Sequence, residues 1–476
     1  MKMLVAGEWV PSVTGRTLVV TDPATGRPVD EVPDASDEDV ARACVAARDA
    51  FSTWRHTRAP ERARILHAAA AGLRSRLDTL AASLTAEIGR PLGGSRREIE
   101  RTADLLDFFA EEATRLRGEL PLMGFSGEHV MVVREPVGVV AAIVPFNYPV
   151  TLLSMKVGAA LATGCTVVAK PSALAPLTCL LVAEVFRDAG LPAGALNTIT
   201  GRGGEAGRAL VEHPIPRKVS FTGGTAVGRQ IAAIAVGTTK RLTLELGGQS
   251  PAIVGEDADL DEAVASLVAQ AYANSGQFCY RVNRIYASGS IYHTFCERFA
   301  ATASALRVGP GSDPEIDLGP LIDAAAYHKC RAQVDDAIAK GARLLTGGSR
   351  LRGDVFDHGY FMAPTVLAET DHSMLVMREE SFGPVVGIMA VADLEEAVGL
   401  ANDSRYGLAA YVFCGDAMRG FRLAEALEAG TVWVNGIHRT YDFAPFGGYK
   451  QSGLGREKSR FGLDEYLELK TIYLTG

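Results

Sequence analysis

The chain has 476 residues and a mass of 50.4 kDa, more than one hydrophobic core holds, because cores stop growing near about 250–300 residues. A hydrophobic fraction of 47% and a charged fraction of 22% are ordinary globular values and exclude a disordered chain. Lys plus Arg is 48 against 56 Asp plus Glu, a net charge of −8, which gives no bulk attraction to phosphate backbones and excludes nucleic acid as an expected partner.

The N-terminus MKMLVAGEWVPS has only the apolar run MLVA before Gly7 and Glu8, too short for the core of a secretory leader. The first forty residues read as short strands and turns. A helix is expected to open at Ser36, with Asp39 three residues on completing a capping box. Further helical stretches are expected over 60–84 and 96–116. From Pro136 to Met155 no residue is charged, formally enough to span a bilayer. Pro136, Pro145 and Pro149 would break such a helix, and Asn147 would lie in lipid. The segment is read instead as a buried strand, VGVVAAIVPF, then a turn and a helix start, in a soluble protein.

Beyond it the β-branched runs TVVAK (166–170), ALNTIT (195–200), KVSFT (218–222) and RLTLEL (241–246) alternate with helical segments. One of these has Pro176 at its first helical position and Gly190 as its cap. A second series of strands and helices begins after Gly247 and continues past residue 400. The fold class is therefore α/β, with nearly continuous apolar strands in parallel sheets covered on both faces. The C-terminal YLELKTIYL reads as a strand that is covered either by its own domain or by another subunit.

Seven scattered cysteines, an odd number, exclude a complete disulfide framework and point to a reducing, cytoplasmic compartment. Six of them, Cys44, Cys165, Cys179, Cys296, Cys330 and Cys414, fall inside helical or strand patterns and read as small buried hydrophobes. Cys279, in ANSGQFCYR, follows a Ser-Gly turn signal and sits on a loop, where a thiol can react. FTGGTAVGRQ follows a strand and opens a helix, the arrangement that faces backbone N–H groups to an anion. It fails as a Walker A motif, and its glycines do not have dinucleotide-fingerprint spacing; GRGGEAG (201–207) is a near match only. There is no HExxH, CxxC or GxSxG, so no metal site or serine triad is expected.

Seven segments together resemble the NAD(P)-dependent aldehyde dehydrogenase superfamily over essentially the whole chain: PFNYP (145–149), KPSALAP (170–176), FTGGTAVG (221–228), LELGGQSP (244–251), NSGQFC (274–279), EESFGPV (379–385) and PFGGYKQSGLGRE (445–457). They stand in the family's order. The resemblance implies a Rossmann-like cofactor domain (1–118 and 137–246), an α/β catalytic domain (247–444) and a small β oligomerisation element (119–136 and 458–476). It also implies a homodimer or homotetramer.

By the same resemblance Cys279 matches the thiol that attacks the aldehyde, and Asn147 the side-chain donor to the resulting oxyanion. Glu245 matches the carboxylate that activates water against the thioester, and Lys156 with Glu457 a proton-relay pair. The presence of Glu245 favours a free acid as product; a CoA-acylating enzyme, a cysteine-dependent esterase and a non-catalytic relative are the alternatives. For the cofactor, NADP or NAD, the matching positions are Lys170, Ser172, Gly203, Phe221, Thr222, Gly223, Gly224, Thr225, Gly228, Leu246, Glu380 and Phe382. Many NAD-preferring members carry Glu where this chain has Ala173. Removing that carboxylate removes the repulsion against a 2′-phosphate, so NADP is expected to be accepted.

For the substrate, Arg281 and Arg439 are candidates to hold an anionic semialdehyde, since guanidinium binds carboxylate through two hydrogen bonds. The arginines of the succinic-semialdehyde branch are replaced here by Met155 and Ala273. Tyr148, Phe278, Tyr280, Tyr441 and Phe443 are alternatively the lining of an aromatic pocket, and the sequence leaves both readings open.

Overall fold

The computed structural model describes residues 1–121, 128–437 and 441–475. Its first sheet runs, edge to edge, through Glu8–Val10, Met3–Val5, Leu196–Thr198, Thr166–Lys170, Val139–Ile143, Lys218–Thr222, Arg241–Glu245 and Gly453–Leu454. The five strands from Leu196–Thr198 to Arg241–Glu245 are parallel. Strand Val139–Ile143 shows why a strand covered on both faces lacks polar alternation. Val140 and Ala142 enter the core shared with helices Ala59–Ser75, Leu92–Ala113 and Pro149–Thr163. Val139, Ala141 and Ile143 enter the core on the opposite face, with helices Asp37–Trp54 and Thr225–Val236. Both faces are covered, so every position is apolar.

Val139–Ile143 comes first in the chain among the five parallel strands, and later strands are added on both of its sides. The chain order therefore reverses between Val139–Ile143 and Lys218–Thr222. Open α/β sheets bind ligands in the crevice at the carboxyl ends of such strands.

The second sheet has the order Arg343–Thr346, Thr365–Ala368, Val385–Val391, Val282–Ser288, Ser250–Val254, Ala409–Phe413 and Thr431–Val434, parallel except at its first edge. A separate two-stranded sheet pairs Glu128–Pro136 with Leu467–Thr475, from Leu467 opposite Pro136 to Thr475 opposite Glu128. Its Leu469, Tyr473 and Leu474 are exposed.

The capping box at Ser36 forms as read, with Ser36 and Asp39 satisfying each other's backbone N–H groups. The stretch 60–84 is two helices, Ala59–Ser75 and Leu77–Ile88, because Arg76 leaves helical geometry between them. The next helix starts at Leu92, earlier than expected, since Pro91 presets its entry despite the two glycines that follow. Pro176 is the residue before helix Leu177–Asp188 rather than its first. The uncharged segment 136–155 closes strand Glu128–Pro136, supplies Val139–Ile143 and opens helix Pro149–Thr163. No helix of the described residues is long and apolar enough to cross a membrane.

Candidate active site

Cys279 follows a turn in which Asn274, Ser275 and Gly276 all have left-handed backbone, with φ of 50°, 56° and 72°. Left-handed geometry is unfavourable for the two non-glycine residues, and side-chain bonds hold it. Asn274 Nδ2 donates to the Asn147 carbonyl at 3.2 Å and to the Gln277 carbonyl at 3.3 Å. Ser275 Oγ donates to the Gly319 carbonyl at 2.8 Å. The turn delivers Cys279 to the wall of a cavity of about 700 Å³, lined by helices Leu92–Ala113, Pro149–Thr163 and Leu260–Tyr272 and the loop before strand Val282–Ser288. The other six cysteines are buried, and all seven are unpaired.

Glu245 ends strand Arg241–Glu245, next to the edge of the first sheet, and is 2% exposed. Gly248 brings the following loop against Cys279: a Cβ there would lie 2.4 Å from the Cys279 carbonyl oxygen. Neither carboxylate oxygen of Glu245 has a conventional hydrogen-bond partner. Burial first, then repulsion from Glu457, pushes its carboxyl up to about 8, and the neighbouring Cys279 thiol partly offsets this. The thiol in turn is pushed well up, by burial and then by the charge of Glu245. The resting cysteine is thus a thiol beside a potential proton acceptor, without the helix N-terminus that would favour a thiolate.

Asn147 lies between strand Val139–Ile143 and helix Pro149–Thr163. Its Nδ2 donates to the Gln277 carbonyl at 3.0 Å, two residues before Cys279. One amide hydrogen remains for the cavity, and the Cys279 N–H makes no backbone hydrogen bond among the described residues. Lys156, on the same helix, is fully buried and ion-paired with Glu457. It also donates to Thr222 Oγ1 at 2.7 Å. The second Glu457 oxygen is unpartnered.

The start of helix Pro149–Thr163 is fixed by residues that the sequence did not single out. Glu98 Oε1 accepts the N–H groups of Val150 and Thr151 at 2.9 and 3.0 Å. Arg90 pairs with the other Glu98 oxygen, and its guanidinium lies 4.6 Å from the centre of the Tyr148 ring. Both charges sit in a strongly charged stretch, SRREIE and its approach, so only their burial of 3% and 0% distinguishes them from a solvated face.

The cofactor candidates converge on the crevice at the strand ends. Phe221 and Thr222 end strand Lys218–Thr222, and Gly223 and Gly224 lead into helix Thr225–Val236, whose first N–H groups have no side-chain cap. Gly228 packs this helix on Leu246, where a Cβ would come within 2.3 Å of Leu246 Cδ2. Lys170 ends the neighbouring strand; burial lowers its ammonium to about 8, and among the described residues it has no ion-pair partner and bonds to the Pro171 carbonyl at 3.2 Å. Ser172 follows it, and Gly203 opens the turn Gly203–Gly207 that passes Lys170. Glu380 accepts the Gly248 N–H at 3.0 Å, with its carboxyl raised by burial. Phe382 meets Phe146 edge-on at 6.1 Å. A buried cation without an anionic partner, an uncapped helix start and a carboxylate on the Cys279 side fit a phosphorylated dinucleotide.

The expectation for Arg281 is corrected. Its guanidinium is fully buried and turned away from the cavity, donating to the carbonyls of Ala271 at 2.9 Å, Ser381 at 3.0 Å and Val385 at 2.9 Å and to Asn283 Oδ1 at 3.1 Å. Four of its five N–H groups are spent on bonds within the protein, two of them to the segment around Glu380, and the group is buried away from the substrate cavity. Arg439 lies outside the described residues. Met155 and Ala273 do line the cavity, as do Tyr148, Phe278 and Tyr280. Tyr441 and Phe443 instead stack on each other at 5.1 Å and are exposed. Arg97, Arg101 and Lys458 also line the cavity; on the sequence the two arginines, four residues apart, look like an ordinary solvated helix face.

The chain matches the model of the aldehyde dehydrogenase family over residues 9–472. It is 41% identical to the mitochondrial succinate-semialdehyde dehydrogenase of Arabidopsis thaliana, covering 99% of this chain and 88% of that protein. It is 40% identical to the NADP(+) succinate-semialdehyde dehydrogenase GabD of Escherichia coli K12, covering 98% of this chain and 96% of that one. The crystal structure of betaine aldehyde dehydrogenase from Staphylococcus aureus in complex with NAD+ superposes with a TM-score of 0.98 at 37% identity, over 100% of this chain and 94% of that one. With a cysteine and a buried carboxylate meeting beside a dinucleotide crevice, and with similarity running through the whole sequence, the chain belongs to the aldehyde dehydrogenase family.

Proposed function

We propose that this aldehyde dehydrogenase uses Cys279 as nucleophile, Asn147 and the Cys279 N–H as oxyanion donors, and Glu245 as the base that makes water the acyl acceptor. The observation that carries this is Glu245: a buried carboxyl with no conventional partner, next to the thiol. The Cys279 sulfur bonds to the aldehyde carbon as its proton is lost to solvent, and the tetrahedral oxygen rests between the two donors. NAD(P)+, held by the cofactor residues, would supply the acceptor for the hydride that leaves that carbon. The carbonyl re-forms as a thioester on Cys279; Glu245, relieved of its proton, then takes one from water as the new C–O bond forms and the sulfur leaves. Lys156 and Glu457 supply a buried ionic pair from which a proton can be exchanged with Glu245. The net change is aldehyde, NAD(P)+ and water to carboxylic acid, NAD(P)H and a proton.

Residues Lys170, Ser172, Gly203, Phe221 to Thr225, Gly228, Leu246, Glu380 and Phe382 hold the cofactor in this reading. Ala173 leaves Lys170 and Ser172 without a competing carboxylate, which supports acceptance of NADP. The semialdehyde names of the relatives support an acid semialdehyde as substrate. A panel of carboxylated, aromatic and aliphatic aldehydes tests the reading with both cofactors, with and without CoA. Reduced nicotinamide should form without CoA, and with NADP as well as NAD; dependence on CoA, or turnover with NAD alone, would contradict it.

The two sheets support a cofactor domain of 1–118 and 137–246 and a catalytic domain of 247–444, with 119–136 and 458–476 as an oligomerisation element. We infer that a second copy covers the exposed Leu469, Tyr473 and Leu474 of that element, since exposed apolar side chains on a two-stranded sheet need cover. Sedimentation should give a particle of at least twice 50.4 kDa; a stable monomer would reject the inference. Seven unpaired cysteines fit a cytoplasmic setting.

A further inference from the structure

We propose that Arg101, on helix Leu92–Ala113, is the specificity-determining cation that receives the anionic end of the substrate in the Cys279 cavity. The inference rests on the aldehyde-oxidising reading of that cavity and adds to it the residue that selects among aldehydes.

Four described cationic side chains line the cavity: Arg90, Arg97, Arg101 and Lys458. Arg90 is committed to Glu98, and Lys458 is paired with Asp442 at 3.6 Å. Arg97 and Arg101 are exposed and have neither an ion pair nor a hydrogen bond among the described residues. Of these two, Arg101 is tied to the reacting end. Arg97 folds back over the start of its own helix, its Nη1 3.5 Å from where a Gly93 Cβ would lie, whereas the Arg101 charge bears, as a smaller contribution, on Tyr148 and Tyr280, the residues next to Asn147 and Cys279.

The surrounding wall explains why a single guanidinium matters there. Met155, Leu152, Leu105 and Phe278 are apolar, and they lower the local dielectric and strengthen a charge–charge contact. The carboxylates that line the cavity are already used: Glu98 by Arg90 and two backbone N–H groups, Asp442 by Lys458, Asp317 by the Arg307 N–H at 2.9 Å and Asp313 by the Glu315 N–H at 2.9 Å. Arg101 therefore keeps both edges of its planar fork for a ligand carboxylate, which it can hold through two parallel hydrogen bonds. Arg281, fully buried with four of its five N–H groups bonded within the protein, cannot do this.

The experiment compares succinic semialdehyde with butanal, its uncharged counterpart, in the wild type, Arg101→Gln and Arg101→Lys. Wild type should favour the anionic aldehyde. Arg101→Gln should lower kcat/KM for it by about 10- to 100-fold, mainly through KM, and collapse its ratio to butanal. Arg101→Lys should restore part of that ratio, because it returns the charge without the fork. Equal losses for both aldehydes would mark Arg101 as merely structural and overturn the proposal, as would a wild type that does not discriminate. A wild type that oxidises neither this pair nor any other aldehyde, by contrast, would remove the oxidoreductase reading itself.

Discussion

Cys279→Ala should fold, retain NADP binding and lose aldehyde oxidation by at least about 10⁴-fold, since removing a nucleophile leaves only what binding and oxyanion stabilisation contribute. The fold should tolerate the change. Cys279 is the one cysteine that is not fully buried. The loop is held by Asn274, Ser275 and the four bonds of Arg281. Cofactor affinity should survive because Lys170, Glu380 and the start of helix Thr225–Val236 are untouched. Steady-state rates, with fluorescence titration of NADPH, check both halves. Turnover within tenfold of wild type would remove Cys279 from the chemistry.

Glu245→Gln should have the second largest effect, slowing thioester hydrolysis by about 10²–10⁴-fold, the usual contribution of a positioned general base. Its pH dependence carries a sign. A carboxyl raised to about 8 is protonated below that pH and a base above it, so deacylation in the wild type should climb with pH through about 8 and then level. The variant should lose that limb. The raised value follows from burial and from Glu457, both independent of the substituted oxygen. Single-turnover measurements across pH 6–10, a range chosen to bracket that group, separate deacylation from hydride transfer. A rise with the same midpoint in the variant would assign the titration to another group.

The architecture was legible in the sequence where strands are buried on both faces: VVAAI and TVVAK have no polar alternation to confuse with an exposed sheet, and the structure makes each a strand, whereas KVSFT alternates and is nonetheless buried throughout. The cysteine, the carboxylate and the asparagine were legible because each sits in a motif whose neighbours serve backbone geometry. Gly248, which a Cβ would drive into the Cys279 carbonyl, is such a neighbour. What the sequence did not reveal was the direction of long side chains. Arg281, two residues from the thiol, turns inward to carbonyls. Arg101, 178 positions from Cys279 by their numbers, turns into the cavity. Charge and sequence distance say nothing about such choices; tertiary packing decides them. The same holds for Glu98, whose capping of helix Pro149–Thr163 depends on two helices meeting.

Glu245→Gln mixed with aldehyde and NADP, then quenched and weighed intact, tests the central claim most directly. The account predicts one acyl group per chain, located by peptide mapping on Cys279 and absent from the Cys279→Ala/Glu245→Gln double variant. Unmodified protein during steady turnover, or an acyl group that persists in the double variant, would contradict it.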